Sequence, residues 1–218
     1  MTHNVESLPA GHCVSVNGMF ILKAIQEILL NRVVDDTNSI LTESYAQSVA
    51  SANLMVNKAS EASDKLPHTL ERYLAQALKL APRGNECFVS LLSSVAALLA
   101  RANWVKREAK PDQDNSFVEK HRHAIITGVG GVFECDTLTI GLALMAPFTS
   151  YPYHLHPPSE FYIVLSEGEW YREDVGWWSP GVGGVVLNPS SCVHAMRSMD
   201  VPLLALWGLI HSHSGAKA

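Results

Sequence analysis

Apolar and polar positions follow a helical period in the first half of the chain. Between residues 17 and 104, apolar side chains recur every three or four positions, as in helices with one buried face. This spacing predicts four helices, namely Met19–Leu30 with Asn17 as N-cap, Ile40–Ala59, Leu66–Ala81 with Pro67 in its first turn, and Cys87–Asn103. Helices without a chemical motif most simply form a packing or dimerising layer.

The pattern changes after a charged segment at residues 104–116, which contains Pro111. Beyond it the apolar runs are short and Gly and Pro separate them, as expected of a β-barrel or sandwich. The predicted strands are His123–Ile126, Phe133–Ala146, Phe161–Leu165, Gly184–Leu187 and Val201–Ile210. We therefore predict an α+β protein, with a helical N-terminal region at 1–110 and a β-barrel domain at 111–218.

Composition narrows the setting of the protein. The 218 residues are 47% hydrophobic and 17% charged, which is typical of a globular protein. A net charge of −5 gives no electrostatic reason to expect nucleic acid or an anionic membrane as partner. The N-terminus lacks the features of a signal peptide, and the apolar stretch Cys87–Ala100 is too short to span a bilayer. Four scattered cysteines without a CxxC pair indicate a reduced, cytoplasmic protein.

One short stretch of the chain contains most of the candidate metal ligands. His154 and His156 lie two residues apart, so in a strand they point to the same face. Glu160 can return to that face after the Pro157–Pro158 turn, and His194 follows one hairpin and a strand later. Imidazole and carboxylate ligands suit one divalent transition metal ion (Zn, Fe, Mn, Co or Ni), and the ligand types do not choose among these.

The remaining histidines are not part of a recognisable ligand motif. A single histidine is more often a surface or hydrogen-bonded core residue than a ligand, and we expect this of His12, His68, His121, His123, His211 and His213. An apolar barrel interior, by contrast, would not hold four polar groups unpaired. The metal hypothesis therefore rests on the cluster of four.

The C-terminal half resembles the cupin superfamily. His154-x-His156, three residues and Glu160 match its first motif, although Glu167 stands where the motif has Gly. Gly183, five residues and Pro189-Ser-Ser-Cys-Val-His194 match its second motif, with Ser191 in place of the middle Gly. The resemblance covers roughly residues 120–211 and implies a double-stranded β-helix barrel with a metal inside its mouth.

Within that superfamily the chain resembles the cupin dimethylsulfoniopropionate lyases. The pattern Tyr151-x-x-His154-x-His156-x3-Glu160-x-Tyr162, a later His and an N-terminal helical extension carry this resemblance. It implies cleavage of dimethylsulfoniopropionate to dimethyl sulfide and acrylate. It also implies His156, Glu160 and His194 as metal ligands, His154 as a ligand in some members, and Tyr162 and Tyr151 as active-site tyrosines.

The proposed chemistry suits these residue types. A β-elimination next to a carboxylate needs a metal to neutralise the carboxylate and an anionic base, which a tyrosine near a cation can supply. Tyr162 shares strand parity with Glu160, and Tyr151 could share or take the role. Aromatic rings attract a sulfonium through cation–π contacts, and the candidates for that substrate-binding wall are Trp170, Tyr171, Trp177 and Trp178.

Two other classes of function remain open from the sequence. Another metal-dependent cupin enzyme, such as a small-molecule dioxygenase, would use the same ligands but would not need the two tyrosines. A non-enzymatic cupin sensor with a DNA-binding part should have a basic recognition helix, and residues 17–104 show none. A small-molecule substrate is expected in either enzyme class, and a homodimer could form through the helix Cys87–Ala100.

Overall fold

The computed structural model describes residues 10–31, 36–58, 64–111 and 113–211. The described part of the chain begins with helices and continues as a region rich in strands. The helices are α1 (Ala10–Asn31), α2 (Asp36–Ala50), α3 (His68–Leu80) and α4 (Glu86–Leu98). Asn85 caps α4, since its side chain accepts a hydrogen bond of 2.7 Å from the backbone N–H of Cys87. Pro67 directly precedes α3 with an extended backbone.

The strands form two sheets in the described residues. The strands are β1 (Met55–Val56), β2 (Asn103–Val105), β3 (His121–Thr127), β4 (Phe133–Glu134), β5 (Leu138–Met145), β6 (Ser150–His154), β7 (Ser159–Val164), β8 (Glu169–Arg172), β9 (Gly176–Trp178), β10 (Val185–Asn188), β11 (His194–Arg197) and β12 (Leu203–Ile210). The large sheet has the order β1-β4-β3-β5-β12-β7-β10, with β2 paired to β3, and the small sheet has the order β6-β11-β8-β9.

The large sheet buries both of its faces. Residues alternate along β5, β7 and β12, so that one set packs beneath the helices and the other set lines the barrel. Ile163 and Leu206, for example, join the helices in one cluster, whereas Val164 and Ala205 belong to the interior cluster. The predicted α+β class, with N-terminal helices followed by a cupin-type β-barrel, is confirmed.

Close packing between strands depends on particular glycines. Gly208 on β12 faces Phe161 on β7, and a Cβ added at Gly208 would lie 2.2 Å from the Cζ of that fully buried ring. No real Cβ could occupy that position, so only glycine allows the two strands to carry a phenylalanine at this point.

The helix α1 combines length with apolar character. By these two criteria alone its segment Cys13–Asn31 could cross a membrane, as could many core helices of soluble proteins. Here Ile21, Ile25 and Leu29 are fully buried in one core cluster with α4. The apolar side of α4, which we expected could bury itself against a second subunit, packs on α1 within the chain.

Several predicted boundaries were wrong. Asn17 is not a cap, because α1 already begins at Ala10 and the Asn17 side chain donates to the carbonyl of Cys13 inside the helix. The second helix ends at Ala50, and the predicted strand Phe133–Ala146 is split into β4 and β5. The strand expected around His154 and His156 is β6, but it ends at His154, so His156 lies outside it. The strands β8, β9 and β11 of the small sheet were not predicted from their sequence.

The division of the chain at residue 110 stays a prediction. Two short strands before that point, β1 and β2, pair with β4 and β3 of the large sheet. The charged segment at 104–116 reaches the barrel, since Gln113 donates to the carbonyl of Tyr153. The ring of Phe117, which directly follows the segment, is buried in the interior cluster.

Candidate metal centre

Both sheets contribute to the candidate site. His154 ends β6 and lies opposite His194, the first residue of β11, in the small sheet. Glu160 lies on β7 of the large sheet, beside Asn188 of β10. His156 follows the end of β6 in the turn that leads to β7. The residues therefore meet where the two sheets face each other.

A β-bulge explains how Tyr151 and His154 can share the barrel interior although they are three residues apart. Tyr151 pairs with Met196 and His154 pairs with His194, so three steps on β6 match two steps on β11. The extra residue reverses the alternation of side chains along β6. As a result both Tyr151 and His154 are buried, while Tyr153 between them is exposed.

The three histidines present their Nε2 atoms to one another. One ligand atom from each of His154, His156 and His194 lies within 4.8 Å of the others. Their Nδ1 atoms face the carbonyl oxygens of Pro152, Pro158 and Cys192 at 2.9, 2.9 and 3.0 Å. A carbonyl only accepts, so each Nδ1 carries a hydrogen, and in the neutral ring each Nε2 then keeps the free lone pair that metal binding requires.

Glu160 completes the group of donors. Its Oε2 lies 3.0 Å from Nε2 of His194 and 3.7 Å from Nε2 of His156. The buried Nε2 of His194 has no hydrogen-bond partner in the described structure. In the neutral form of His194, whose hydrogen lies on Nδ1, a lone pair of Nε2 would face this carboxylate oxygen at 3.0 Å. A cation between the two atoms would remove that repulsion, so the donor set fits a divalent metal.

The charges of these residues also fit a cation. Burial, together with the neighbouring His194, lowers the pKa of His154 to about 3, so His154 is neutral at pH 7. Burial raises the pKa of Glu160, but its contacts with His156 and His194 outweigh this and hold the pKa well below its usual range. His154 thus offers a neutral imidazole, and Glu160 offers an ionised carboxylate that raises the pKa of the neighbouring His156.

Neighbouring residues hold the donors in place. Asn188 is buried and donates from Nδ2 to Oε2 of Glu160 at 3.0 Å. Ser191, which stands where the cupin motif has glycine, adopts a φ of 60°. This is the left-handed conformation that glycine favours, and it lets the N–H of Ser191 donate to the carbonyl of His156 at 2.9 Å.

The two predicted tyrosines lie beside the histidines. Tyr162 is buried, and its hydroxyl bonds to the Glu160 carboxylate; burial and this carboxylate raise the pKa of Tyr162 well above its usual value. The ring of Tyr151 lies 4.9 Å from that of His154, and burial raises the pKa of Tyr151 to about 12. The Arg107 guanidinium, 5.3 Å above the Tyr151 ring, acts in the opposite direction.

The four aromatic candidates divide between the two faces of the small sheet. Trp170 is buried in the barrel with its ring 6.1 Å from that of Tyr162, and Trp178 lies opposite Trp170 and packs against the same interior cluster. Tyr171 and Trp177 instead contact Tyr153 on the other face of the sheet. Their roles in substrate binding stay predictions.

Four polar residues near the site were not singled out from the sequence. They are Arg107 from the charged segment, His121 and His123 on β3, and Asn188 on β10. The expectation for His121 was wrong, because it is fully buried with neither ring nitrogen hydrogen-bonded in the described structure. The same argument that paired His154 with His156 could have found this pair, since His121 and His123 also lie two residues apart on a strand.

The chain is similar in sequence to known proteins of one family. The dimethylsulfoniopropionate lyase family model matches residues 42–205. The dimethylsulfoniopropionate lyase DddQ of Ruegeria pomeroyi is 34% identical over 91 residues, which are 41% of this chain and 45% of that protein. DddL of Cereibacter sphaeroides is 26% identical over 150 residues, or 68% of this chain and 62% of that protein. The chain thus matches less than two thirds of the length of either relative.

Solved structures share the fold. The crystal structure of DddQ from Ruegeria pomeroyi has a TM-score of 0.59 and 22% identity, with 89% of this chain and 94% of that chain covered. A chain from the crystal structures of the dimethylsulfoniopropionate (DMSP) lyases RdDddP and RnDddQII has a TM-score of 0.60 and 15% identity. The match covers 94% of this chain and 97% of that chain. Because the family model spans most of the chain, the protein belongs to the dimethylsulfoniopropionate lyase family, as its motifs predicted.

Proposed function

We propose that this protein cleaves dimethylsulfoniopropionate by β-elimination and releases dimethyl sulfide and acrylate. The observation that carries the proposal is the buried group of His154, His156, His194 and Glu160 with two phenols beside it. Membership of the family supports the choice of substrate. The proposal also gives a use to both tyrosines, which a dioxygenase with the same ligands would not need.

The same four side chains would hold one divalent transition metal ion, which could be Zn, Fe, Mn, Co or Ni. When bound, such an ion supplies positive charge that neutralises the substrate carboxylate and stabilises the negative charge that develops beside it. The role of the chain is to keep three Nε2 lone pairs and one carboxylate oxygen directed to a common point. The carbonyls behind the histidines and the amide of Asn188 support that arrangement.

One of the two tyrosines would act as the base. As a phenolate it takes the proton from the carbon next to the substrate carboxylate, and the electrons of that C–H bond form the new C=C bond. The C–S bond then breaks with its electron pair on sulfur, so that neutral dimethyl sulfide leaves and acrylate remains. We favour Tyr162 as the base, because it lies two residues from Glu160 on β7 and so points to the same face of the strand. Tyr151, whose ring contacts that of His154, is the alternative base.

The sulfonium needs a different environment from the carboxylate. It carries a fixed positive charge and has no hydrogen to donate, so an aromatic surface suits it, at about 0.5–2 kcal/mol per cation–π contact. We assign this contact to Trp170 and Trp178, because both belong to the barrel interior. Tyr171 and Trp177 would have to act from the opposite face of the small sheet.

The cellular setting is part of the same proposal. A cytoplasmic protein would keep its cysteines reduced, and Cys13, Cys87, Cys135 and Cys192 are free in the structure. A homodimer, if formed, would have to use a surface other than the side of α4 that α1 already covers. Sedimentation of the purified protein would give its oligomeric state.

The deciding experiment is to incubate the purified protein with dimethylsulfoniopropionate and measure volatile sulfide by gas chromatography. We expect dimethyl sulfide and acrylate in equal amounts. Absence of sulfide from folded, metal-loaded protein would refute the proposal. Oxygen consumption with a thiol or diketone substrate, without sulfide release, would instead favour the dioxygenase.

A further inference from the structure

A second group of polar side chains lies in the barrel, beside the metal ligands but separate from them. His121 and His123 point inwards from β3, with ring centroids 4.4 Å apart, and the ring of Tyr151 lies 4.8 and 6.0 Å from them. Neither ring nitrogen of His121 has a hydrogen-bond partner in the described structure, nor has Nε2 of His123. Buried polar atoms are rarely left in this state, so this group indicates a polar ligand.

Arg107 brings a positive charge to the same group. Its guanidinium lies 5.3 Å above the ring of Tyr151, and its charge acts on His121, His123 and Tyr162 as well. Its neighbour Lys106 is paired with Glu119 at the surface. Among the described residues, Arg107 itself has no ion pair with a carboxylate. A planar guanidinium without such a partner can bind a carboxylate through two parallel hydrogen bonds.

The polar group adjoins one end of a row of side chains in the barrel interior, where Phe117 and Trp207 also pack against the two histidines. Tyr151, Met196, Trp170 and Trp178 lie opposite one another across the four strands of the small sheet. Adjacent strands are about 4.8 Å apart, so about 10 Å of sheet separates Tyr151 from Trp170. Arg107 and the two histidines adjoin the Tyr151 end of this row, and the indoles stand at the other end.

We propose that Arg107, His121 and His123 form a carboxylate-binding subsite that fixes the direction in which a zwitterionic substrate enters the barrel. The carboxylate would lie at the Tyr151 end, between this subsite and the metal ligands, and the sulfonium would lie at the Trp170 end. Arg107 would repel a sulfonium from its own end, so it selects one orientation by both attraction and repulsion. This inference rests on the proposed function for its substrate, but its carboxylate subsite can be tested separately.

Acrylate and acrylamide provide the test, because they have nearly the same shape and differ in charge. Ligand-observed NMR titrations of the chelator-treated full chain would give both dissociation constants without competition from a metal. We expect wild type to bind acrylate about tenfold more tightly than acrylamide, the fold-change of one charge-assisted hydrogen bond. Arg107→Met should bind the two within about twofold of each other.

Two further variants sharpen the result. Arg107→Lys keeps the charge but loses the planar fork, so it should retain a reduced preference for acrylate. Lys106→Met removes a neighbouring charge at the surface and should bind both compounds as wild type does. A wild-type protein without the preference, or an Arg107→Met variant that keeps it, would overturn the subsite.

Kinetic measurements with dimethylsulfoniopropionate can distinguish a failure of the subsite from a failure of the proposed lyase function. In metal-loaded protein, Arg107→Met should raise KM for dimethylsulfoniopropionate about tenfold, since it removes binding of the carboxylate. An unchanged KM would overturn the subsite while leaving the lyase activity intact. Absence of turnover in wild type would refute the proposed lyase, whereas the preference for acrylate over acrylamide would still support a carboxylate subsite.

Discussion

Replacing Asn188 by alanine tests how the site controls its carboxylate. Nδ2 of Asn188 donates to Oε2 of Glu160 at 3.0 Å, and both side chains are buried. The Oδ1 atom of Asn188 has no hydrogen-bond partner in the described structure, so the variant loses one contact rather than two. The backbone carbonyl of Asn188, which accepts from the Tyr45 hydroxyl at 3.0 Å, remains in the variant.

The size of the effect follows from that single contact. A hydrogen bond to a charged group contributes about 1.5–3 kcal/mol. Each factor of ten in an equilibrium constant corresponds to about 1.4 kcal/mol, so the bond is equivalent to roughly one to two factors of ten. Loss of a residue that orients a metal ligand typically costs about 10–100-fold in affinity, which is the same range. We therefore expect Asn188→Ala to bind metal about 10–100-fold more weakly.

The assay is a competition titration of metal-free protein against a chromophoric chelator. Asn31→Ala, at the exposed end of α1, provides a matched control and should bind metal as wild type does. Circular dichroism would establish that both variants are folded. If folded Asn188→Ala bound metal within about twofold of wild type, the reasoning that Asn188 orients Glu160 would be refuted.

Three further predictions concern the base, the metal and the sheet. Tyr162→Phe should bind metal but lose about 10²–10⁴-fold in kcat if it removes the general base, whereas Tyr153→Phe on the other face should match wild type in sulfide release. A chelator should abolish sulfide release and added metal should restore it; full activity in metal-free protein would contradict the metal role. Gly208→Ala adds a Cβ that would overlap the buried ring of Phe161, so the ring or the two strands must shift. It should cost about 1–3 kcal/mol and lower Tm in a thermal melt, while Gly84→Ala, with open space around it, should change Tm little.

Local spacing was enough to find, from the sequence, side chains that the structure brings together as candidate metal ligands. His154, His156 and Glu160 lie within seven residues, and the second cupin motif supplied His194. Their contact with Asn188 could not be predicted in the same way, because it depends on the pairing of β10 with β7 across the sheet. The β-bulge in β6 could not be predicted either, because it is defined only by the pairing with β11, in which three steps along β6 match two along β11.

The charged segment after β2 shows why polar sequence was a poor guide to position. Its charge and Pro111 suggested a boundary, yet Arg107 lies over Tyr151, and Phe117, the residue directly after the segment, is buried in the barrel. A long arginine side chain in a loop can extend to a ring inside the barrel. The spacing of apolar residues along the sequence does not predict such a contact. The small sheet was missed for a related reason, because its strands are short and alternate buried and exposed residues irregularly.

The most direct test of the central claim is a crystal structure of the metal-loaded protein with anomalous scattering measured on both sides of the metal absorption edge. We predict one anomalous peak at about 2.0–2.2 Å from Nε2 of His154, His156 and His194 and from a carboxylate oxygen of Glu160. A peak elsewhere in the molecule, or no peak in protein that releases dimethyl sulfide, would contradict the account.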